Sequence, residues 1–197
     1  MTTTRPEIVV VGASLGGLYA MRALLAGLPP EFSLPVVLAQ HRRPDADSRL
    51  SEILGDSCPF PVIEPEDKEK LLGGRLYVAP ANYHLLVARD TLWLTVDAPV
   101  WFSRPSIDVL FESAAEAFGA AAVGIVLTGS NEDGAAGCRA IKRAGGVVLV
   151  QDPATCESPV ASRSAMAATT VDAVLPVPDL SRRLVQLVGG PSVELHR

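Results

Sequence analysis

Cysteine is scarce in this sequence, positive charge is outweighed, and no apolar stretch is long enough to cross a bilayer; each shortage removes a class of function. The three cysteines, Cys58, Cys138 and Cys156, are far apart and form no C-x-x-C pair, so neither a zinc site nor a redox couple is expected. A reducing cytoplasm is the simplest setting. Lys and Arg number 17 against 22 Asp and Glu, a net charge of −5. Such a chain has no long-range attraction to phosphate backbones, and no nucleic-acid partner is expected. The longest apolar run, residues 117–127, contains two glycines and falls well short of the roughly 20 residues that span a membrane. The opening MTTTRPE lacks an apolar signal core, so neither membrane insertion nor a secretory route is expected. Aromatics are few, at 5%, yet 48% hydrophobic and 20% charged residues describe an ordinary globular domain with one sizeable core. Repeats, low-complexity tracts and linkers are absent. One domain is expected over residues 7–187, with tails at 1–6 and 188–197.

What is present is an alternation of strands and helices. Residues 7–11, EIVVV, form an apolar β-branched run ending at Gly12, as a strand buried on both faces requires. Leu18, Met21, Leu24, Leu25 and Leu28 follow at helical spacing, and Gly27, Pro29 and Pro30 stop the helix. Further strands are expected at residues 35–40, 122–127, 147–151 and 171–175. The rhythm predicts an α/β fold: a doubly wound, mostly parallel sheet with helices on both faces. One stretch departs from it. Residues 75–79, 84–88 and 91–96 read as short strands, and a small antiparallel hairpin is expected there, turning through Arg89 and Asp90.

After the first strand comes Gly12-Ala13-Ser14-Leu15-Gly16-Gly17, a G-x-S-x-G pattern between strand and helix. A serine on that turn projects its hydroxyl from the sheet edge, with backbone N–H groups beside it for an oxyanion. Glycine-rich turns also cradle pyrophosphate in dinucleotide-binding folds, and the motif alone does not separate the two. Ser14, however, replaces the middle glycine that close pyrophosphate approach needs. The second strand ends in His41 followed by Arg42 and Arg43, where a dinucleotide binder should place Asp or Glu for the ribose. The two arginines keep a 2′-phosphate reading open. Strand ends of neighbouring parallel strands lie about 5 Å apart, so Ser14 and His41 can meet. Of the other histidines, His196 lies in the tail and His84, the rival base, begins a hairpin strand.

A third member should be a carboxylate at the same sheet edge. Asp133, in the loop after residues 122–127, can fix the imidazole tautomer. The plainer reading makes it the N-cap of the helix that follows, and Glu132 is a fallback for the acid. Cys156, in QDPATCESP, reads as a passive, partly buried thiol.

With these residues in place the sequence resembles the catalytic domain of protein-glutamate methylesterases, the CheB family of bacterial chemotaxis. The motifs carrying the resemblance are GASLGG, the AQH ending at His41, YVAPANYHL, RPSIDVLFES, LTGSNEDGAAG and AGGVVLVQDPATCESP, in the family's order. The resemblance implies that Ser14 attacks the γ-methyl ester of a glutamyl residue on a chemoreceptor helix, with His41 moving the proton and Asp133 holding His41. Methanol leaves, water frees the glutamate, and some relatives deamidate glutamine at the same carbon. It also implies oxyanion contacts around Leu15 and Ser130, where relatives more often carry threonine or alanine and methionine. Ala161-Ser162 replaces a usual Met-Pro, a change expected at the rim of the cleft. The family's frequent receiver domain has no room before a strand that starts at residue 7, so a stand-alone esterase is expected. No cofactor or metal is implied. A receptor-docking domain that does not turn over and a nucleotide- or anion-binding module are the alternative readings.

Overall fold

The computed structural model describes residues 4–46 and 49–189; His196 and most of the expected C-terminal tail lie outside them. Seven strands form the main sheet: β1 (Ile8–Ala13), β2 (Pro35–Gln40), β3 (Val62–Ile63), β4 (Arg75–Val78), β7 (Ala122–Val126), β8 (Val147–Gln151) and β9 (Ala173–Leu175). A separate pair, β5 (His84–Val87) and β6 (Leu92–Thr95), is antiparallel. Six helices interleave with them: α1 (Gly17–Ala26), α2 (Arg49–Gly55), α3 (Ile107–Phe118), α4 (Ala135–Arg143), α5 (Val160–Ala168) and α6 (Val177–Val188).

The sheet order is β3-β4-β2-β1-β7-β8-β9, and every pairing within it is parallel. Residues 75–79 therefore belong to this sheet, beside β2, rather than to the hairpin region. The hairpin itself pairs His84 with Thr95 and Val87 with Leu92, turning through Arg89 and Asp90 as expected.

Alternation within β1 sorts the core into two layers. Ile8 and Val10 face one cluster with Leu110, Phe111 and Cys138, from α3 and α4. Val9 and Val11 face the other with Met21, Leu24, Leu25, Leu180 and Leu184, from α1 and α6. Each such side chain contributes about 1.5–3 kcal/mol on burial, so a one-residue slip of β1 would exchange both faces at once. The chain builds outward from β1 to β3, then returns to β7 on β1's other side. That reversal opens a crevice at the carboxyl ends of the strands, the usual place for a ligand in an open parallel sheet.

Candidate active site

Ser14 directly follows β1 at this switch point. Its N–H donates to Thr128 O at the end of β7 (3.0 Å), which bridges the two halves of the sheet. Its carbonyl accepts from Gly17 N (2.9 Å) and from Gln40 Nε2 (2.8 Å). The turn into α1 is made by Gly16, whose φ of 78° lies where only glycine is unstrained. A Cβ at Gly17 would sit 2.2 Å from Gln40 Oε1, and one at Gly129 would sit 3.0 Å from Ser14 Cβ. The small residues of both motifs thus make room for the packing that fixes the serine.

His41 continues β2, with its N–H on Ala13 O (2.9 Å). Gln40 Nε2 also donates to His41 O (3.1 Å), so one buried amide ties the two strand ends together. The imidazole then spans the site: Nδ1 lies 3.2 Å from Ser14 Oγ and Nε2 lies 2.7 Å from Asp133 Oδ2. An ionised carboxylate only accepts, so in the neutral ring Nε2 carries the hydrogen and Nδ1 offers its lone pair to the serine hydroxyl.

Asp133 is 1% exposed, and its carboxylate accepts four hydrogen bonds of 2.7–2.9 Å. Besides His41, Oδ2 accepts Ile107 N (2.8 Å), while Oδ1 accepts Ser106 Oγ (2.9 Å) and Asp108 N (2.9 Å). Asp133 therefore sits on the N-terminus of α3, where backbone donors and the helix dipole favour negative charge. It does not cap its own helix: Gly134 is the N-cap of α4 and has no side chain to serve it. Asp108 of α3 supplies that need, its Oδ1 accepting Gly134 N (2.9 Å) and Gly137 N (2.7 Å). Burial pushes the Asp108 carboxyl above its usual range, opposed by the Gly137 N–H and reinforced by the charge on Asp133. The close approach of α3 depends on glycine, since a Cβ at Gly12 would lie 2.3 Å from Ile107 Cγ2 and one at Gly134 2.8 Å from it.

The family model for CheB methylesterase matches residues 9–184 of the chain. The chain belongs to the CheB methylesterase family. A relative from Leptospira interrogans is 43% identical over 182 residues, which are 92% of this chain and 94% of that one. A Trichodesmium erythraeum protein named protein-glutamate methylesterase/protein-glutamine glutaminase is 37% identical, the match covering 96% of this chain and 55% of its own length. The crystal structure of the Thermotoga maritima CheB methylesterase catalytic domain superposes with a TM-score of 0.89 at 31% identity, covering 94% of this chain and 100% of that one.

Within this CheB fold the other expected residues fall as follows. Among the described residues the N–H groups of Leu15 and Ser130 have no protein acceptor, and both residues are exposed. Donors so placed beside Ser14 can face a developing oxyanion. His84 is fully buried and committed to structure: its Nδ1 accepts Ser106 N (3.1 Å) and its Nε2 donates to Ala98 O (3.2 Å). Glu132 is exposed, and its backbone carbonyl accepts Ala135 N in a turn (3.1 Å). Arg42 is committed to structure by Glu64 (2.8 Å) and Ala79 O (2.9 Å), and exposed Arg43 pairs with Asp45. Ala161 and Ser162 are buried rather than at the rim; Ala161 N bonds Gly129 O, and Val160 and Arg163 on either side are exposed. Burial raises the Cys156 thiol, as a passive role requires. Among the described residues no cluster of His, Cys, Asp and Glu is arranged to hold a metal, and no helix is long and apolar enough to cross a membrane.

Sequence reasoning missed Gln40 and Ser106. Both stand inside the motifs AQH and RPSIDVLFES, but nothing in their spacing announces that one ties Ser14 to His41 and the other supports Asp133.

Proposed function

We propose that this chain hydrolyses γ-methyl esters of glutamyl residues on chemoreceptor helices and deamidates receptor glutamines at the same carbon, with Ser14, His41 and Asp133 as the reacting constellation. The observation that carries the reading is the imidazole lying between Ser14 Oγ at 3.2 Å and Asp133 Oδ2 at 2.7 Å. Ser14 Oγ attacks the ester carbon as Nδ1 of His41 takes its proton, and the buried carboxylate of Asp133 stabilises the imidazolium. The N–H groups of Leu15 and Ser130 receive the oxyanion. Collapse returns the proton to the departing methoxy oxygen, so methanol leaves and an acyl-serine remains. Water, deprotonated by the same nitrogen, then cleaves the acyl bond and frees the glutamate. With a glutamine, ammonia leaves instead.

The names of the relatives support both activities, since the Trichodesmium protein and a 41% identical Burkholderia pseudomallei protein are called methylesterase and glutaminase together. The free Cys58, Cys138 and Cys156 support a cytoplasmic site of action. Methanol release from methylated receptor tests the reading, with Ser14→Ala and His41→Ala as controls. Either change should lower turnover by about 10⁴–10⁶-fold. A parent protein that releases neither methanol nor ammonia from any receptor offered would defeat the proposal.

A further inference from the structure

Between β6 and α3 the chain makes a tight reversal in which Val100 and Ser103 exchange both backbone hydrogen bonds (3.1 and 2.9 Å). The two residues at its tip are Trp101 and Phe102, with φ of 50° and 60°. Two successive left-handed residues are what a two-residue hairpin turn of the primed type needs, and Asn-Gly normally supplies them. Bulky aromatics are strained there. Nor does burial compensate the strain, for Phe102 is 101% exposed and Trp101 48%. A fold that holds two aromatic rings in solvent on unfavourable backbone presents them to something else.

The turn is braced from below. Arg104 donates through Nη1 to Val96 O (2.6 Å) and Asp97 O (2.9 Å), and through Nη2 to Asn82 Oδ1 (2.6 Å). Buried His84 holds Ala98 O on one side of the turn and Ser106 N on the other. Ser106 in turn donates to Asp133. Phe102 precedes Ser106 by four residues, so the tip lies within about 14 Å of the residue that supports the acid. Tyr83, beside Asn82, and Leu15, beside Ser14, are also large exposed apolar residues.

We infer that the Trp101–Phe102 turn is a preformed anchor for the receptor polypeptide, gripping apolar side chains that flank the esterified glutamate. This deepens the proposed function and rests on it. A single methyl ester offers a protein few contacts, so discrimination must come from the surrounding chain, and a rigid aromatic pair near the cleft supplies it without an ordering cost on binding. The turn is linked to the reaction site by hydrogen bonds, from Ala98 O through His84 to Ser106 and from Ser106 to Asp133, which makes the docking surface continuous with it. A membrane is the poorer occupant. The chain carries net charge −5, Asp97 adjoins the turn, and the guanidinium of Arg104 is turned onto backbone and Asn82.

The double variant Trp101→Asn, Phe102→Gly substitutes the pair that such turns prefer, so the fold should survive with unchanged or higher thermal stability. On a methylated receptor fragment, kcat/KM should fall about 10- to 100-fold, chiefly through KM, while p-nitrophenyl acetate hydrolysis and fluorophosphonate capture of Ser14 stay at parental rates. Phe102→Ser, at a fully exposed position, should reproduce part of the loss. The affinity of the fragment for Ser14→Ala protein, with and without the double change, reads docking independently of turnover and separates failure of this inference from failure of the proposed chemistry. Unchanged receptor affinity in the double variant overturns the inference. So does an equal loss on p-nitrophenyl acetate, or a loss confined to binding of anionic lipid vesicles.

Discussion

Asp133→Asn is the most instructive single change, because every orientation of the amide conflicts with a donor fixed by backbone. The carboxylate accepts two bonds on each oxygen: Ser106 Oγ and Asp108 N on Oδ1, His41 Nε2 and Ile107 N on Oδ2. If the amide nitrogen replaces Oδ1, the Ser106 hydroxyl can rotate to accept, but Asp108 N–H faces another donor. If it replaces Oδ2, Ile107 N–H faces the donor, and His41 must move its hydrogen to Nδ1, where it can no longer take a proton from Ser14. Either way one buried N–H is left unpaired, a cost of about 1–3 kcal/mol. For a domain of this size that corresponds to a midpoint lower by about 3–10 °C.

Turnover should suffer more, because both orientations lose the charge opposite the imidazolium and one also loses the correct tautomer. Wrong-tautomer substitution in serine proteases costs about 10⁴-fold, and a fall of about 10³–10⁴ is expected here. Thermal unfolding, receptor demethylation and the rate of fluorophosphonate capture are the assays. Turnover within about threefold of the parent, with an unchanged midpoint, would refute the assignment of Asp133 and the reasoning about its four donors.

The other predictions follow from the same contacts. Asp108→Asn should be neutral or stabilising at pH 7, since both helix donors use Oδ1, which an amide oxygen can replace. The Asp108 carboxyl is raised in the folded state, so its contribution to stability is complete below its unfolded value near 4 and is lost as pH rises through the folded one. The advantage of the variant should therefore shrink on acidification, as urea unfolding at pH 4 and pH 7 would show. Gly12→Ala forces a Cβ to within 2.3 Å of Ile107 Cγ2, and calorimetry should find a loss of about 1–3 kcal/mol, with slower turnover because Ile107 N is one of the donors to Asp133. His84→Ala should lower stability by about 1–3 kcal/mol through the unpaired Ser106 N and Ala98 O. Its turnover should fall far less than in His41→Ala; equal losses would make His84 the base.

Much of the fold was legible because β-branched runs buried on two faces leave little alternative. Residues 35–40 and 147–151 are strands with the expected bounds. β3, two half-buried residues, carries no pattern to find. β4 misleads because RLYV is too short for its alternation to distinguish a strand joining a parallel sheet from a hairpin arm. The meeting of Ser14 and His41 follows from a rule of strand ends. The setting of Asp133 does not, since its partners Ser106, Ile107 and Asp108 lie 25–27 residues away on a helix whose approach depends on which side chain fits against Gly12.

That setting explains why the plain and the chemical readings of Asp133 were never exclusive. Asp133 caps a helix, though α3 rather than α4, and holds the imidazole with the same carboxylate. Asp108 returns the favour to α4, so each helix is started by a carboxylate from the other's entry segment. Crossed caps of this kind fix the two helices as a pair, reinforced where Gly137 admits Phe111, to whose Cβ an added Cβ would come within 2.4 Å. Ser14 and His41 are bound to one another through Gln40 on the β1–β2 side, and Asp133 reaches them from the α3–α4 pair. The 2.7 Å bond from His41 to Asp133 therefore links the strand pair to the helix pair. A change that loosens the helix pair should misalign the imidazole before it unfolds the sheet, because the strands that carry Ser14 and His41 keep their own parallel register.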